Sequence, residues 1–169
     1  MALGALSWLS VCEGDPRGAS ELAERAISCA PNEAVAWLAK ARVLQFSGRP
    51  REAAVANKAA LRLSPVGPSN WIILMGLIIS SYFTRDYGAA VEEAQHTIRI
   101  YPGITSPYRW LAAGLGQLGR QDAAQAALRK AIEVSPASFA FYTQNRPPWF
   151  RPEDHEHMLD GLRKAGWVG

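Results

Sequence analysis

Large and small apolar residues recur along this chain at helical spacing, and each stretch of them ends at a proline. The four prolines, Pro31, Pro65, Pro102 and Pro136, are evenly spaced except that the interval ending at Pro102 is slightly longer. A period of about 34 residues predicts a helix-turn-helix unit that is repeated about four times. Such a unit buries its apolar face only against its neighbours, so the units stack and present a long surface rather than an enclosed catalytic pocket.

Fixed offsets also hold inside each unit. Counting back from Pro65 gives Trp37, Ala41, Leu44, Gly48, Ala53 and Ala60, and counting back from Pro136 gives Tyr108, Ala112, Leu115, Gly119, Ala124 and Ala131. A large residue followed four positions later by a small one lets the two helices of a hairpin approach closely. Glycine suits the turn because it adopts a positive φ without strain. The first unit fits least well, since Ser7 and Ser10 stand at two of these positions.

The third unit is longer than the others. Trp71 follows Trp37 by the same interval that separates Pro31 from Pro65, so the first helix of this unit begins in phase, but Pro102 then arrives three positions late. We expect the extra length between about Ile78 and Ala89, as one additional turn of the first helix, since a turn takes about 3.6 residues.

The run from Trp71 to Phe83 is the most apolar in the chain. A membrane-spanning helix needs about 20 such residues, which is more than this run offers, so it predicts a buried helix. Burial by neighbouring repeats and coverage by a partner or by a second copy of the chain both remain open.

Composition excludes some classes of partner and compartment. The net charge is +3 over 169 residues, and basic residues are scattered among acidic ones, which argues against a nucleic-acid-binding surface. Cys12 and Cys29 fall at opposite ends of one predicted hairpin, too far apart for a disulfide, and are typical of a reducing compartment. The N-terminus lacks the positive residues of a signal peptide. We expect a cytoplasmic protein, and because no polar capping helix precedes the first repeat, we expect the natural polypeptide to extend further N-terminally.

The tail, residues 137–169, departs from the repeat. Residues 146–151 contain two prolines and predict an extended segment. Residues 152–165 predict a helix, with Pro152 at the first position, acidic residues in the first turn, Arg163 and Lys164 in the last, and Gly166 after it. Its apolar stripe indicates a capping helix for the open end of the stack.

The repeat pattern resembles the tetratricopeptide repeat over roughly residues 2–136, and the unit from Tyr108 to Pro136 matches best. The resemblance implies an all-α, right-handed α-solenoid with units at about 2–31, 32–65, 66–102 and 103–136, followed by the capping helix. It also implies a non-catalytic domain that binds a protein or peptide partner.

In this repeat class the first helices line the concave face. That projection places eight residues in a partner-binding groove: Arg42, Gln45, Phe46, Ile72, Ile79, Arg109, Ala113 and Gln117. Two arginines among amides and apolar patches suit an extended or helical peptide that carries an acidic residue. Chaperone-binding members use a lysine and asparagine clamp, where this chain has Leu38 and Arg42, so that role is not expected. A groove filled by the C-terminal segment is the alternative.

The tail carries a second resemblance. Residues 146–166 are similar to the closing segment of bacterial signalling proteins with C-terminal tetratricopeptide repeats, many of them class III adenylate or guanylate cyclases and others winged-helix transcription factors. This implies that the chain is the regulatory part of a larger protein, whose own N-terminal domain is a candidate partner; a homodimer is another. No catalytic residue transfers, because no aspartate pair on a mixed sheet is present.

No chemistry beyond binding is indicated. Glu153 and His157 share a helical face near Asp154, His155, Glu156 and Asp160, but a structural metal site needs four ligands, and a solvated polar face explains these residues better. Gly114, Gly116 and Gly119 match a dinucleotide-binding spelling but fall on a helix rather than after a strand. We expect no catalytic residues, no metal and no cofactor.

Overall fold

The computed structural model of the chain describes residues 2–67 and 70–169; Met1, and Pro68 and Ser69 of the predicted third unit, lie outside the described residues. The described residues form ten α-helices and no strand. They are α1 (Ala2–Cys12), α2 (Pro16–Cys29), α3 (Ala34–Phe46), α4 (Pro50–Leu63), α5 (Asn70–Phe83), α6 (Tyr87–Ile100), α7 (Ser106–Gln117), α8 (Gln121–Val134), α9 (Pro136–Gln144) and α10 (Pro152–Lys164).

Each of the first four helix pairs turns at a residue in the left-handed region. These residues are Gly14, Gly48, Arg85 and Gly119, with φ of 80°, 77°, 66° and 67°. The intervals between them are the same as those between the four prolines. Glycine is favoured there because it has no Cβ, and Arg85 is the exception. After two of the turns an aspartate caps the second helix: Asp15 accepts from Gly18 N–H at 3.0 Å, and Asp86 from Ala89 N–H at 3.1 Å.

The buried positions keep a constant distance from the turn residue. Seven positions before it stand Ser7, Ala41, Ile78 and Ala112, and five positions after it stand Ala19, Ala53, Ala90 and Ala124, all fully buried. In the first pair the Ser7 hydroxyl donates to Ala19 O across the hairpin at 2.9 Å, so a polar residue is accepted at a core position. Small residues at most of these positions let the paired helices pack closely.

The extra three positions of the third unit lie elsewhere than expected. The turn residue Arg85 follows Trp71 by 14 positions, whereas Gly48 follows Trp37 by 11, so Leu74 is the true counterpart of Trp37. The prediction of an added turn between Ile78 and Ala89 is wrong. The additional length lies in the connection after α4 and in the first turn of α5.

The helices form two layers. The second helix of each pair packs against the first helix of the next, and the first helices α1, α3, α5 and α7 also contact one another in sequence. The layer of first helices is therefore the inner side of the stack, where the predicted groove residues lie. No residue of α5 is exposed, so neighbouring repeats account for its apolar composition.

The predicted C-terminal helix is present as α10, and its position is more specific than the pattern indicates. It packs along α7, on the inner side of the stack, while the short helix α9 contacts α8. The segment before α10 is not helical, but it is not extended either: Phe150 N–H donates to Pro147 O at 3.0 Å and closes a turn. This turn directs the chain back onto the inner layer.

The two cysteines are free thiols at opposite ends of the first hairpin. Cys12 ends α1 and is half-buried, whereas Cys29 ends α2 and is exposed.

Candidate functional site

Six of the eight predicted groove residues line one cavity of about 230 Å³ on the inner side of the stack. They are Arg42, Gln45 and Phe46 from α3, Ile72 and Ile79 from α5, and Arg109 from α7. Three successive first helices thus contribute to a single site, as the repeat phase predicts, because residues at equivalent positions of stacked helices face the same side.

The other two predicted residues do not reach this cavity. A Cβ added to Gly161 of α10 would approach Ala113 O to 2.8 Å, so α10 lies directly on Ala113. Gln117 Nε2 donates to Asp160 at 2.9 Å, and its Oε1 accepts from Lys164 Nζ at 2.9 Å. The chain itself therefore covers the inner face of α7 beyond Arg109, and only the part over α3 and α5 remains accessible.

The C-terminal segment supplies the remaining wall of the cavity. Tyr142, Trp149 and Phe150 line it together with Trp71 and Trp110. These tail residues have no place in the repeat, so the repeat phase cannot identify them. For Trp149 and Phe150 the signal in the sequence is the pair of prolines, 147 and 148, directly before them.

Phe150 anchors this wall. It is 3% exposed, and its ring lies 5.4 Å from that of Phe46 and 6.1 Å from that of Phe83, both in edge contact. It also stacks on Trp110 at 6.3 Å between ring centres with an interplanar angle of 15°. Aromatic pairs at these distances stabilise beyond their area burial, so the turn is held firmly on the inner layer.

Arg109 is the most unusual residue of the site. It is 5% exposed, and its Cζ lies 3.8 Å from the centre of the Tyr142 ring. Burial lowers the pKa of its guanidinium to about 10, opposed by Tyr142, whose hydroxyl interacts with it. Within the described ranges Arg109 forms no ion pair with a carboxylate. A cation is thus buried against aromatic rings, and none of the described carboxylates is paired with it.

Arg42 gives the site a second cation. It lies on α3, and burial lowers the pKa of its guanidinium. Cys12 is near enough to oppose that shift slightly, and burial in turn raises the pKa of the Cys12 thiol.

Several buried polar atoms at this cavity lack a hydrogen-bond partner among the residues that the structure describes. They are Gln45 Oε1, Arg109 Nε and Trp110 Nε1. All three residues line the cavity. A buried polar group without a partner is costly, so a ligand that supplied partners to these three residues would stabilise the site.

The polar residues of α10 that resemble metal ligands have other roles. His155 Nε2 lies 2.8 Å from Tyr142 O, and His157 Nε2 lies 2.8 Å from Tyr87 Oη. Asp154 pairs with Arg151 and Asp160 with Lys164. Across residues 2–67 and 70–169, no group of three or more histidine, cysteine, aspartate or glutamate side chains is placed to hold a metal ion.

A family model described as the tetratricopeptide repeat matches residues 115–138. Among solved structures, the chain is similar to MamA (residues 41 to the end) from Desulfovibrio magneticus RS-1, at 14% identity and a TM-score of 0.70, covering 98% of this chain and 92% of that one. A second structure of MamA is 18% identical with a TM-score of 0.67, covering 94% of this chain and 91% of that one. No curated protein matches the chain in sequence.

At these identities the likeness shows the fold: the predicted all-α solenoid of the tetratricopeptide type is confirmed. As far as the structure describes the chain, none of its helices combines the length and apolar character needed to cross a bilayer.

Proposed function

We propose that this α-solenoid is a non-catalytic interaction domain that binds a short segment of a partner protein in the cavity between α3, α5, α7 and the C-terminal turn. The observation that carries this proposal is the convergence of residues from three repeats on one apolar cavity, three of whose lining residues have a buried, unsatisfied polar atom. A concave site with few polar groups among aromatic side chains has the usual composition of a binding pocket.

The partner belongs to a signalling context in this proposal. The resemblance of residues 146–166 to the tails of bacterial signalling proteins supports a regulatory role in a larger cytoplasmic protein, an adenylate or guanylate cyclase first and a winged-helix transcriptional regulator as the alternative. The bound segment is then part of that protein's own N-terminal domain or of a separate protein. This part of the proposal rests on the tail sequence alone.

Panning a random peptide library against the purified chain tests whether the cavity binds peptides. Ile72→Trp fills the cavity with a larger apolar side chain, so we expect it to abolish peptide recovery while the helical circular-dichroism spectrum is unchanged. Ile132→Trp is the matched control, since Ile132 is exposed on α8. Recovery of the same peptides by both variants would place binding outside the cavity.

An assay of nucleotide cyclase activity tests whether the chain is non-catalytic. The isolated chain should convert neither ATP nor GTP, with or without magnesium or manganese. Turnover by the isolated chain above a heat-inactivated sample would overturn the assignment as a binding domain.

Self-association through residues 71–83 has less support, because no side chain of α5 is exposed. Sedimentation of the wild-type chain at several concentrations, compared with an Ile79→Lys variant, tests it. We expect monomers in both cases; a wild-type dimer that the substitution disrupts would restore the alternative.

A further inference from the structure

Resting on the proposed function, we infer that the cavity takes the side chain of an aspartate or glutamate from the partner peptide, with its carboxylate on the guanidinium of Arg109, in a pocket that the C-terminal segment completes. The recognition element is thus one acidic residue beside an apolar one. The partners of Arg109 here are two aromatic rings, Tyr142 of the tail and Trp110 of α7, not the lysine and asparagine of the chaperone-binding clamp.

The first observation behind this inference is the buried charge of Arg109. A buried charge is normally paired, because removing it from water is energetically costly. Here the ring of Tyr142 at 3.8 Å compensates part of that cost, but no carboxylate among the described residues forms an ion pair with the guanidinium. An acidic side chain from outside supplies the missing anion.

The second observation is the set of unsatisfied hydrogen-bonding groups on residues that line the cavity. Arg109 Nε and Trp110 Nε1 are donors and Gln45 Oε1 is an acceptor, and all three lack partners within the described part of the chain. A carboxylate accepts from the two donors, and a peptide N–H donates to the glutamine. A free carboxylate leaves the glutamine unsatisfied, so a peptide matches the set better than a small organic acid does.

The third observation is the size of the cavity and the apolar character of its walls. Its volume of about 230 Å³ corresponds to roughly eight water molecules, each of which occupies about 30 Å³ in the liquid. This space suits one side chain with its adjoining backbone, not a folded partner. Ile72, Ile79 and Trp71 form the apolar side of the wall, which strengthens a charge pair by excluding water and favours an apolar neighbour for the acidic residue.

The test compares peptides that differ only in charge. Sequences recovered by panning are synthesised with acetylated and amidated ends, so that no terminal carboxylate is present, and each glutamate or aspartate is replaced in turn by glutamine or asparagine. Fluorescence anisotropy then gives the affinity of each pair for the wild-type chain. We expect one acidic position whose replacement weakens binding at least tenfold.

Variants of the chain assign that preference to Arg109. Arg109→Gln should bring the affinity ratio of the acidic and amide peptides close to one, whereas Arg99→Gln, at an exposed arginine of α6, should leave the ratio unchanged. Free glutarate is the third probe, and we expect it to bind far more weakly than the acidic peptide.

A pH titration keeps the inference open to refutation even if Arg109→Gln does not fold. Binding of the acidic peptide to the wild-type chain should fall as the pH drops through about 4.3, the ordinary pKa of glutamate, while binding of the amide peptide should not change in this way. Peptides that bind without any preference for an acidic residue, a preference that survives in Arg109→Gln, or glutarate that binds as tightly as the peptide would overturn this inference alone. A chain that recovers no peptide at all would overturn the proposed function with it.

Discussion

Two glycines allow α10 to lie directly on α7. A Cβ on Gly116 would collide with the backbone of Gly161 and approach Ala165 N to 2.8 Å, and a Cβ on Gly161 would collide with the hydroxyl of Tyr82. The two helices therefore meet with backbone against backbone, and the tail depends on these two positions for its place in the molecule.

Gly161→Ala should destabilise the fold by about 1–3 kcal/mol, the usual cost of forcing extra volume into a packed interior. Gly88→Ala in α6 is the matched control, since its added Cβ meets nothing closer than 3.8 Å; there we expect a stability gain of about 0.5–1 kcal/mol from the better helix former. Urea denaturation followed by circular dichroism measures both. Equal effects of the two substitutions would contradict the close crossing.

His157 makes the docking of α10 sensitive to pH. Burial and the charge of Arg85 lower its pKa, opposed by Asp154 and Asp160, and its Nε2 contacts Tyr87 Oη. A histidine with a lowered folded-state pKa binds protons more readily when unfolded, so stability is lost as the pH falls below about 6.5, the ordinary value.

His157→Gln should therefore reduce the loss of stability between pH 7.5 and pH 5. His96→Gln, at an exposed histidine of α6, controls for the general effect of acid. Chemical denaturation at the two pH values gives the comparison. Asp160, whose pKa is lowered by Lys164, contributes in a more acidic window and does not obscure the result.

At the scale of the element, the turn at 147–150 links the tail to three repeats through one side chain. Phe150 contacts Phe46 of α3, Phe83 of α5 and Trp110 of α7. Arg151 extends the link, since a Cβ at Gly48 would collide with its guanidinium at the turn after α3.

Phe150→Ala should cost about 3–5 kcal/mol, the range for removing a buried aromatic side chain. Phe141→Ala removes the same atoms from a side chain that is 46% exposed on α9, and its cost should be below about 1 kcal/mol. Thermal or urea unfolding separates the two. A small effect at Phe150 would mean that the turn is not part of the cooperative core.

Features that depend on local sterics could be predicted from the sequence, whereas the alignment of the third unit could not. The turn at Gly119 and the fully buried Ala112 and Ala124 follow from glycine at a left-handed position and from small residues where helices meet. The third unit was aligned on Trp71, which follows Trp37 by one repeat period only by chance. In the structure Leu74 is the residue that occupies the position equivalent to Trp37. An aromatic residue alone does not define a repeat phase.

At the scale of the whole molecule, the apolar core is unevenly distributed. A large cluster extends from Met75 to Ala165 and includes the tail, whereas among the described side chains Val11, Ala19 and Ala23 of the first hairpin form a small cluster with Val43 of α3. Leu6 and Leu9 of α1 are about half exposed. The two ends of the stack should therefore differ in local stability.

Hydrogen–deuterium exchange tests this difference. We expect slow exchange in α5, α7 and α10, with α10 as protected as α7 although it lies outside the repeats. Exchange should be fastest in α1 and α2. Faster exchange in α10 than in α2 would show that the tail opens independently of the inner layer, contrary to its packing.

The part of the candidate site that comes from the repeats could be predicted from the sequence, and the part that comes from the tail could not. Repetition predicts which side a residue faces, and Arg42, Ile79 and Arg109 line one cavity in the structure. Docking of the tail is not repeated and depends on contacts such as that of Tyr82 with His157, 75 residues apart, so nothing periodic signals it. For this reason Ala113 and Gln117 were assigned to an open groove that α10 in fact covers.

Because the tail binds backward across three first helices, this array has a fixed length at its C-terminal end. An engineered duplication of a helix pair inserted after Val134 would move Phe150 away from Phe46 and Phe83. Phe150 would then lie against other side chains, which are not complementary to it. Repeats added at the other end, beside the half-exposed Leu6 and Leu9 of α1, would leave these contacts unchanged.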